Sequence, residues 1–111
     1  AGAKQMMENF RLFGAPHVAL VTAPKELGPY GAMDSGGFVA AFTLAAAAQG
    51  VATIAQAAIA GHAPMVRDHF GLPENRNLLC AISFGHADPN HPANSFRTER
   101  ATPADVIDWK D

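Results

Sequence analysis

The longest uncharged stretch of the chain predicts a buried helix. No residue between Asp34 and Arg67 carries a formal charge. Apolar residues at helical spacing over 38–48 cover nearly the whole circumference, which is typical of a helix packed on all sides. Asp34 or Ser35 suits its amino-terminal cap, and Gly50 suits a left-handed stop. Because 111 residues leave little to cover such a helix, we expect a second copy of the chain to cover part of it.

The remaining periodicities predict an α+β domain in which a small mixed sheet surrounds this central buried helix. The strand 77–85 is apolar on both faces, as in a central strand. Residues 55–60 fit either a turn or a short helix, and residues 106–109 fit either a helix that begins near Thr102 or an extended arm. Further helices are predicted over 1–13 and 63–70, strands over 17–22 and 51–54, and loops over 24–31 and 88–95.

Composition and charge exclude several classes of protein. The length suits a single domain over residues 1–111, and the net charge of −2 offers no basic surface for nucleic acid or an anionic membrane. The uninterrupted apolar run 38–48 is shorter than the ~20 residues of a membrane span. One cysteine excludes an intrachain disulfide. With no signal-like start, these features predict a protein of the cytoplasm.

Two constellations that suggest catalysis or metal binding have simpler explanations. The run Met-Asp-Ser-Gly-Gly at 33–37 resembles the nucleophile signature of chymotrypsin-like proteases, but it opens a helix and not a barrel strand. His86 and His91, with Asp88 between them, are spaced for a metal clip, yet loop histidines are usually solvated. Cys80 lies in an apolar strand as a small core residue. We therefore predict no catalytic side chain and no metal site.

The carboxyl-terminal part offers a candidate anion site. Arg97 and Arg100 follow a proline-punctuated loop, and two guanidinium groups at this spacing can hold a phosphate. The alternative is an exposed charged tail. The small, uncharged segment 55–60 could let its backbone approach a flat ligand, although plain packing explains it equally well.

Several motifs, in their order along the chain, resemble the C-terminal half of the FMN-dependent nitroreductase family. FGAPH precedes a predicted strand, a D-x-G helix ends in LAAAAQG, and AQAAIA follows. A helix ending in HFGLPE then precedes a strand ending in SFG, the loop HADPNHPAN and the terminal FRTER. The resemblance covers essentially the whole chain and rests on the order and spacing of the motifs together.

The resemblance implies an intertwined homodimer in which two subunits share long helices and exchange C-terminal arms, here residues 106–109. It places two FMN sites at the dimer interface. NAD(P)H would pass hydride to the flavin N5, and the reduced flavin would pass electrons to a nitroaromatic, quinone or similar small-molecule acceptor. Backbone N–H groups along one segment would face the isoalloxazine, and two arginines would reach the FMN phosphate. These residues are Ala55, Gln56, Ala57 and Ala58, then Arg97 and Arg100.

The chain departs from the family pattern at three points. Position 55 is Ala where the family usually has Pro, and position 40 is Ala where many members have Gln. The family's N-terminal half, with its arginine-rich segment, is absent from this sequence. The alternative function is therefore a non-enzymatic dimerising fragment of the same fold without a complete flavin site.

Overall fold

A computed structural model describes residues 2–111 as helices and short turns on both faces of a small sheet. Seven regular elements are numbered in chain order. They are α1 (Gly2–Met7), β1 (His17–Pro24), α2 (Gly28–Ala48), β2 (Ala52–Gln56), α3 (Ala63–Phe70), β3 (Arg76–Gly85) and α4 (Pro103–Val106). Short 3-10 turns cover Glu8–Gly14, Lys25–Leu27, Ala58–His62 and Pro92–Asn94. The α+β prediction is confirmed.

The sheet has the order β1-β3-β2, so the predicted central strand does lie in the centre. Ala81 and Ile82 of β3 have no exposed surface. Both strand pairs are antiparallel, which corrects the prediction of a mixed sheet. The connection between β1 and β2 includes the long helix α2, and it brings the chain back so that β2 runs in the same direction as β1. The later β3 runs oppositely between them, and no local pattern in the sequence specifies that insertion.

Helix α2 begins earlier than predicted. It starts at Gly28 with Pro29 in its first turn, so residues 28–31 are helical and not loop. Proline suits this position because its fixed φ is already helical and its missing N–H has no partner to lose. Asp34 and Ser35 therefore lie inside the helix and do not cap it. The predicted stop is confirmed, since Gly50 has a left-handed φ of 73°.

The prediction that α2 is buried is wrong for a single copy of the chain. Gly31 is its one buried residue, whereas Tyr30, Met33 and Leu44 are each at least 70% exposed. The helical segment Lys25–Ala48 is long and apolar enough to cross a membrane by length and composition alone, with Asp34 near its middle. Its apolar surface is left without cover by the described residues of this chain.

The whole chain exposes far more surface than its mass predicts. Its accessible area is 8401 Å², whereas a folded monomer of this mass exposes about 5,800 Å². The radius of gyration is 16.3 Å, compared with about 13 Å for a compact domain of this length. The fold is therefore open, and the surface that it exposes includes large apolar side chains such as Tyr30, Met33 and Leu44.

The sheet separates two layers. On one face Phe42 of α2 meets Phe84 of β3 edge to face, with ring centroids 5.7 Å apart. On the other face the turn Glu8–Gly14 lies beside the turn Ala58–His62, where Phe10 meets His62 at 5.0 Å. This second layer covers the end of β2.

Most other elements match the sequence pattern. Helix α3 has the predicted bounds and ends at the left-handed Gly71, and β1 and β3 extend the predicted strands by one or two residues. The predicted helix 1–13 corresponds to α1 followed by a 3-10 turn, while Ala1 lies outside the described residues. The segment 55–60 is divided between the end of β2 and a 3-10 turn. Residues 107–111 form no regular element.

Candidate functional site

The candidate flavin contacts lie at the end of an edge strand. Among the described strands β2 pairs with β3 alone, so its other edge is open. Alternate residues of an edge strand direct their N–H and C=O groups away from the sheet, where another molecule can bind them. Ala55 and Ala57 are exposed and Ala58 is half-buried. Their methyl groups leave the backbone accessible to a flat ligand.

The side chain of Gln56, in contrast, is turned inward. Only 2% of it is exposed. Its Nε2 donates to the carbonyl oxygen of Asn9 at 2.7 Å, and its Oε1 accepts from the Ser83 hydroxyl. Both polar ends of the amide are therefore used inside the protein, and neither is free for a ligand.

The two candidate phosphate ligands lie on an exposed tail. Arg97 donates to the carbonyl oxygens of Asn94 and Phe96, and Arg100 donates to the Thr98 hydroxyl. Within residues 2–111 neither guanidinium has a carboxylate within salt-bridge distance. Both charges are therefore available to an anion. No hydrogen bond in the described chain joins this tail to the end of β2.

A large groove of the described chain does not coincide with the predicted contacts. Its volume is about 750 Å³. Its walls come from the N-terminal helix, the turn before β1, the first part of β2 and the loop after β3. Ala52, Thr53 and Ile54 line it, but the segment 55–58 and the two arginines do not. Because the predicted contacts lie on an open edge and not in this groove, they need a second surface to enclose a ligand.

The loop after β3 is held by its own hydrogen bonds. His91 Nδ1 accepts from the Ala93 N–H at 3.2 Å, and Asp88 Oδ1 accepts from the Asn90 N–H at 2.9 Å. Throughout residues 2–111, no three His, Cys, Asp or Glu side chains are grouped to hold a metal ion. Two of the side chains that suggested a metal clip, Asp88 and His91, thus serve as turn caps.

Two further candidates have clear structural explanations. The Asp-Ser-Gly-Gly run lies inside α2, where Ser35 has no strained turn to expose it as a nucleophile. Cys80 is half-buried in β3, and this burial raises the pKa of its thiol above the usual value. A raised pKa favours the unreactive thiol over the thiolate. Neither residue provides a nucleophile.

The structure adds two residues that the sequence pattern did not single out, Asn9 and Ser83. Ser83 is 1% exposed, and with Gln56 it makes up the buried polar side chains of the described core. A signal was present, because Ser83 interrupts an otherwise apolar strand and a buried hydroxyl needs a partner. Nothing in the sequence pointed to the backbone carbonyl of Asn9, since every residue has a backbone carbonyl.

Comparison with known proteins identifies the same family along most of the chain. The model of the nitroreductase family matches residues 2–86. Nitroreductase NfnB of Mycolicibacterium smegmatis is 42% identical over 94 residues, which cover 85% of this chain and 40% of that protein. A 4-nitrobenzoate reductase of Pseudomonas putida is 33% identical over 92 residues, covering 83% of this chain and 40% of that protein.

Solved structures share the fold closely. The FMN-dependent nitroreductase NfnB from Mycobacterium smegmatis, solved in complex with NADPH, has a TM-score of 0.85 at 38% identity and covers 94% of this chain. The FMN and NADPH-dependent NfnB from Sphigopyxis sp. strain HMH has a TM-score of 0.89 at 28% identity and covers 98%. This chain covers 46% and 49% of those chains. It therefore spans about half the length of these structures, and about 40% of the curated relatives.

Proposed function

Because the chain belongs to the nitroreductase family, we propose that it forms the C-terminal half of an FMN-dependent oxidoreductase domain. In that role it passes electrons from NADH or NADPH to a nitroaromatic or quinone-like acceptor. The observation that carries this proposal is the family match over residues 2–86, joined with 42% identity to an NfnB nitroreductase.

The segment 55–58 fits the flat ring of a flavin. It ends an edge strand, its alanine side chains are small, and the exposed Ala55 and Ala57 leave backbone groups open to solvent. A backbone N–H can donate to a ring nitrogen or carbonyl whatever the side chain. Ala55 therefore keeps a backbone donor that a proline at this position would lack.

The arginines fit the phosphate end of the cofactor. Arg97 and Arg100 are exposed and bear no carboxylate partner in the described chain, so binding a phosphate breaks no ion pair. Guanidinium groups hold phosphate through paired, charge-assisted hydrogen bonds. When bound, FMN supplies the electron transfer itself, and the protein positions it. No side chain of this chain needs to act as acid or nucleophile.

We propose a homodimer as the functional form. The surface beyond that of a compact monomer amounts to roughly 2,600 Å² per chain, or about 5,200 Å² for two chains, which is enough for a large obligate homodimer interface. Helix α2 contributes to it, since Tyr30, Met33 and Leu44 are exposed there. Asp34 near the middle of this helix would cost about 3 kcal/mol in a bilayer. A protein partner therefore suits the helix better than lipid, and we place the protein in the cytoplasm.

A visible absorption spectrum tests the proposed function first. Purified protein is incubated with FMN, desalted and scanned, and we expect retained flavin bands that bleach on addition of NADH or NADPH. A nitroaromatic should then restore the oxidised spectrum. If the protein retains the flavin bands but neither NADH nor NADPH bleaches them, the oxidoreductase proposal is rejected and FMN binding is kept.

A second candidate is a non-enzymatic dimerising unit of the same fold. The observation that favours it is that the chain spans only about 40% of its curated relatives. Under this proposal sedimentation gives a stable dimer, and the desalted protein is colourless after incubation with FMN. A dimer that retains flavin favours the enzyme instead.

A further inference from the structure

We propose that the hydrogen-bonded set Asn9, Gln56 and Ser83, here called the polar clamp, fixes the backbone of residues 57 and 58. Gln56 is then a positioning residue for the ligand of that backbone, and its side chain is not a ligand. The identity of that ligand as FMN rests on the function proposed above.

The clamp is the polar part of an otherwise apolar core. Gln56 and Ser83 are 2% and 1% exposed, and both ends of the Gln56 amide are bonded. Taking an amide and a hydroxyl out of water is costly, and a satisfied pair recovers little beyond that cost. An apolar pair of similar volume would fill this space at least as well. The gain from the polar pair is a defined geometry.

The clamp joins three separate parts of the chain at one point. Gln56 is the last residue of β2, and Ser83 is its diagonal neighbour on the same face of β3, opposite Ile54. Asn9 belongs to the N-terminal turn and lies 47 residues away in sequence. Its own side chain donates to the Met6 carbonyl at 3.0 Å, so the acceptor is itself held in place.

The position of the clamp determines what it can orient. Directly after Gln56 the chain leaves the strand, and Ala57 takes a helical φ of −75°. No side chain of Ala57 or Ala58 can anchor this bend, because methyl groups carry no polar atom. Gln56 is the adjacent residue with a buried, bonded side chain. The direction of the N–H groups at 57 and 58 is therefore set by two anchors. These are Gln56 before the bend and, after it, the 3-10 turn in which the Ala60 N–H donates to the Ala57 carbonyl oxygen at 3.0 Å.

Amide hydrogen exchange in flavin-free protein tests the clamp itself. Gln56→Met keeps the length of the side chain but removes both hydrogen bonds, and Ser83→Ala is a milder change that leaves the bond to Asn9. The N–H of Ala60 donates to the carbonyl oxygen of Ala57 at 3.0 Å, so its exchange reports on the backbone at this bend. We expect exchange at Ala60 to become about 10-fold faster in Gln56→Met, and less so in Ser83→Ala. Val66→Ala is the matched control, since it removes a buried apolar group of α3 outside the clamp.

The same variants, titrated with FMN, test the positioning role. Gln56→Met should bind FMN about 10-fold more weakly and change the shape of the bound flavin spectrum. Val66→Ala should lower stability yet leave that spectrum as in the wild type. If Gln56→Met does not fold, the same comparison is made with Ser83→Ala.

Each outcome separates the two proposals. Wild-type exchange at Ala60 in both clamp variants overturns the clamp. Faster exchange with an unchanged FMN affinity and spectrum overturns the positioning role. If the wild type binds no FMN but exchange is still faster in the clamp variants than in the wild type, the proposed function is rejected and the clamp is confirmed.

Discussion

Gly85 shows how closely two segments of this chain approach each other. A Cβ at this position would lie 2.7 Å from Pro16 Cδ, a distance that forces the neighbour to move. Because proline is rigid, we expect Gly85→Ala to destabilise the protein by about 1–3 kcal/mol, measured by urea unfolding. Gly61→Ala is the control, since a Cβ there meets no atom within 4 Å. Equal midpoints for both variants would contradict the expected strain.

Cys80 gives a prediction about chemical reactivity. Burial raises the pKa of its thiol, so the folded protein keeps the proton to a higher pH than the unfolded chain does. The stability that this provides is present below the unfolded pKa and declines as pH rises through the folded one. We expect iodoacetamide at pH 8 to alkylate Cys80 more slowly in native protein than in urea. Equal rates, followed by mass spectrometry, would show that the thiol is not protected.

Arg100 allows the phosphate contact to be separated from the ring contact. Loss of a charge-assisted bond to phosphate costs about 1.5–3 kcal/mol. Arg100→Gln should therefore weaken FMN binding about 10- to 100-fold. Riboflavin has the same ring without the phosphate, and its affinity should not change. Fluorescence titration of both ligands makes the comparison, and an equal loss for riboflavin would place Arg100 elsewhere in the site.

At the scale of elements, α4 is a short helix that depends on one carboxylate. Asp105 Oδ2 accepts from the Thr102 hydroxyl at 2.7 Å and from the Thr102 N–H at 2.8 Å. These two hydrogen bonds hold the pKa of Asp105 below its usual value, and the bond from the Thr102 hydroxyl lowers it more than the bond from the Thr102 N–H does. The cap is therefore fully formed above the ordinary aspartate pKa and is lost as pH falls through the lowered one.

This dependence can be followed by NMR. The Thr102 amide shift should stay constant at neutral pH and move as Asp105 becomes protonated. Thr102→Val removes the hydroxyl that donates to Asp105, and it should therefore raise the Asp105 pKa toward its usual value. Thr98→Val lies in the same tail outside the cap and should leave the Asp105 titration as it is. A Thr102 shift that is insensitive to acid would mean that the cap does not form in solution.

At the scale of the whole molecule, the uncovered helix α2 predicts association. Leu44 is 73% exposed on this helix, and a charge buried there without a partner costs several kcal/mol. If α2 forms the dimer interface, Leu44→Glu should weaken dimerisation about 100-fold or more, whereas Leu44→Ala should weaken it far less. Sedimentation equilibrium measures both. A monomeric wild type would contradict the homodimer, and a Leu44→Glu protein that stays dimeric would place the interface elsewhere.

Local chemistry determined most element identities from the sequence alone. The apolar run of β3 predicted a central strand. Pro64 at the start and Gly71 just after the end predicted the bounds of α3. The start of α2 was missed because Gly28 and Pro29 are typical of loops, yet proline also fits a first helical turn. Patterns of this kind are read over a few neighbouring residues, so they fail where one residue type suits two structures.

The candidate site, too, was predicted from the sequence only in part. The motif order and the small residues at 55–58 were evident in the sequence, and the placement of Arg97 and Arg100 as ligands stays a prediction. Only the tertiary structure showed that Gln56 is buried, because its partners Asn9 and Ser83 lie 47 and 27 residues away. The insertion of β3 between β1 and β2, and the exposure of α2, were also decided at long range. Sequence spacing fixes which groups are neighbours within an element, but packing fixes which elements meet and which surfaces stay uncovered.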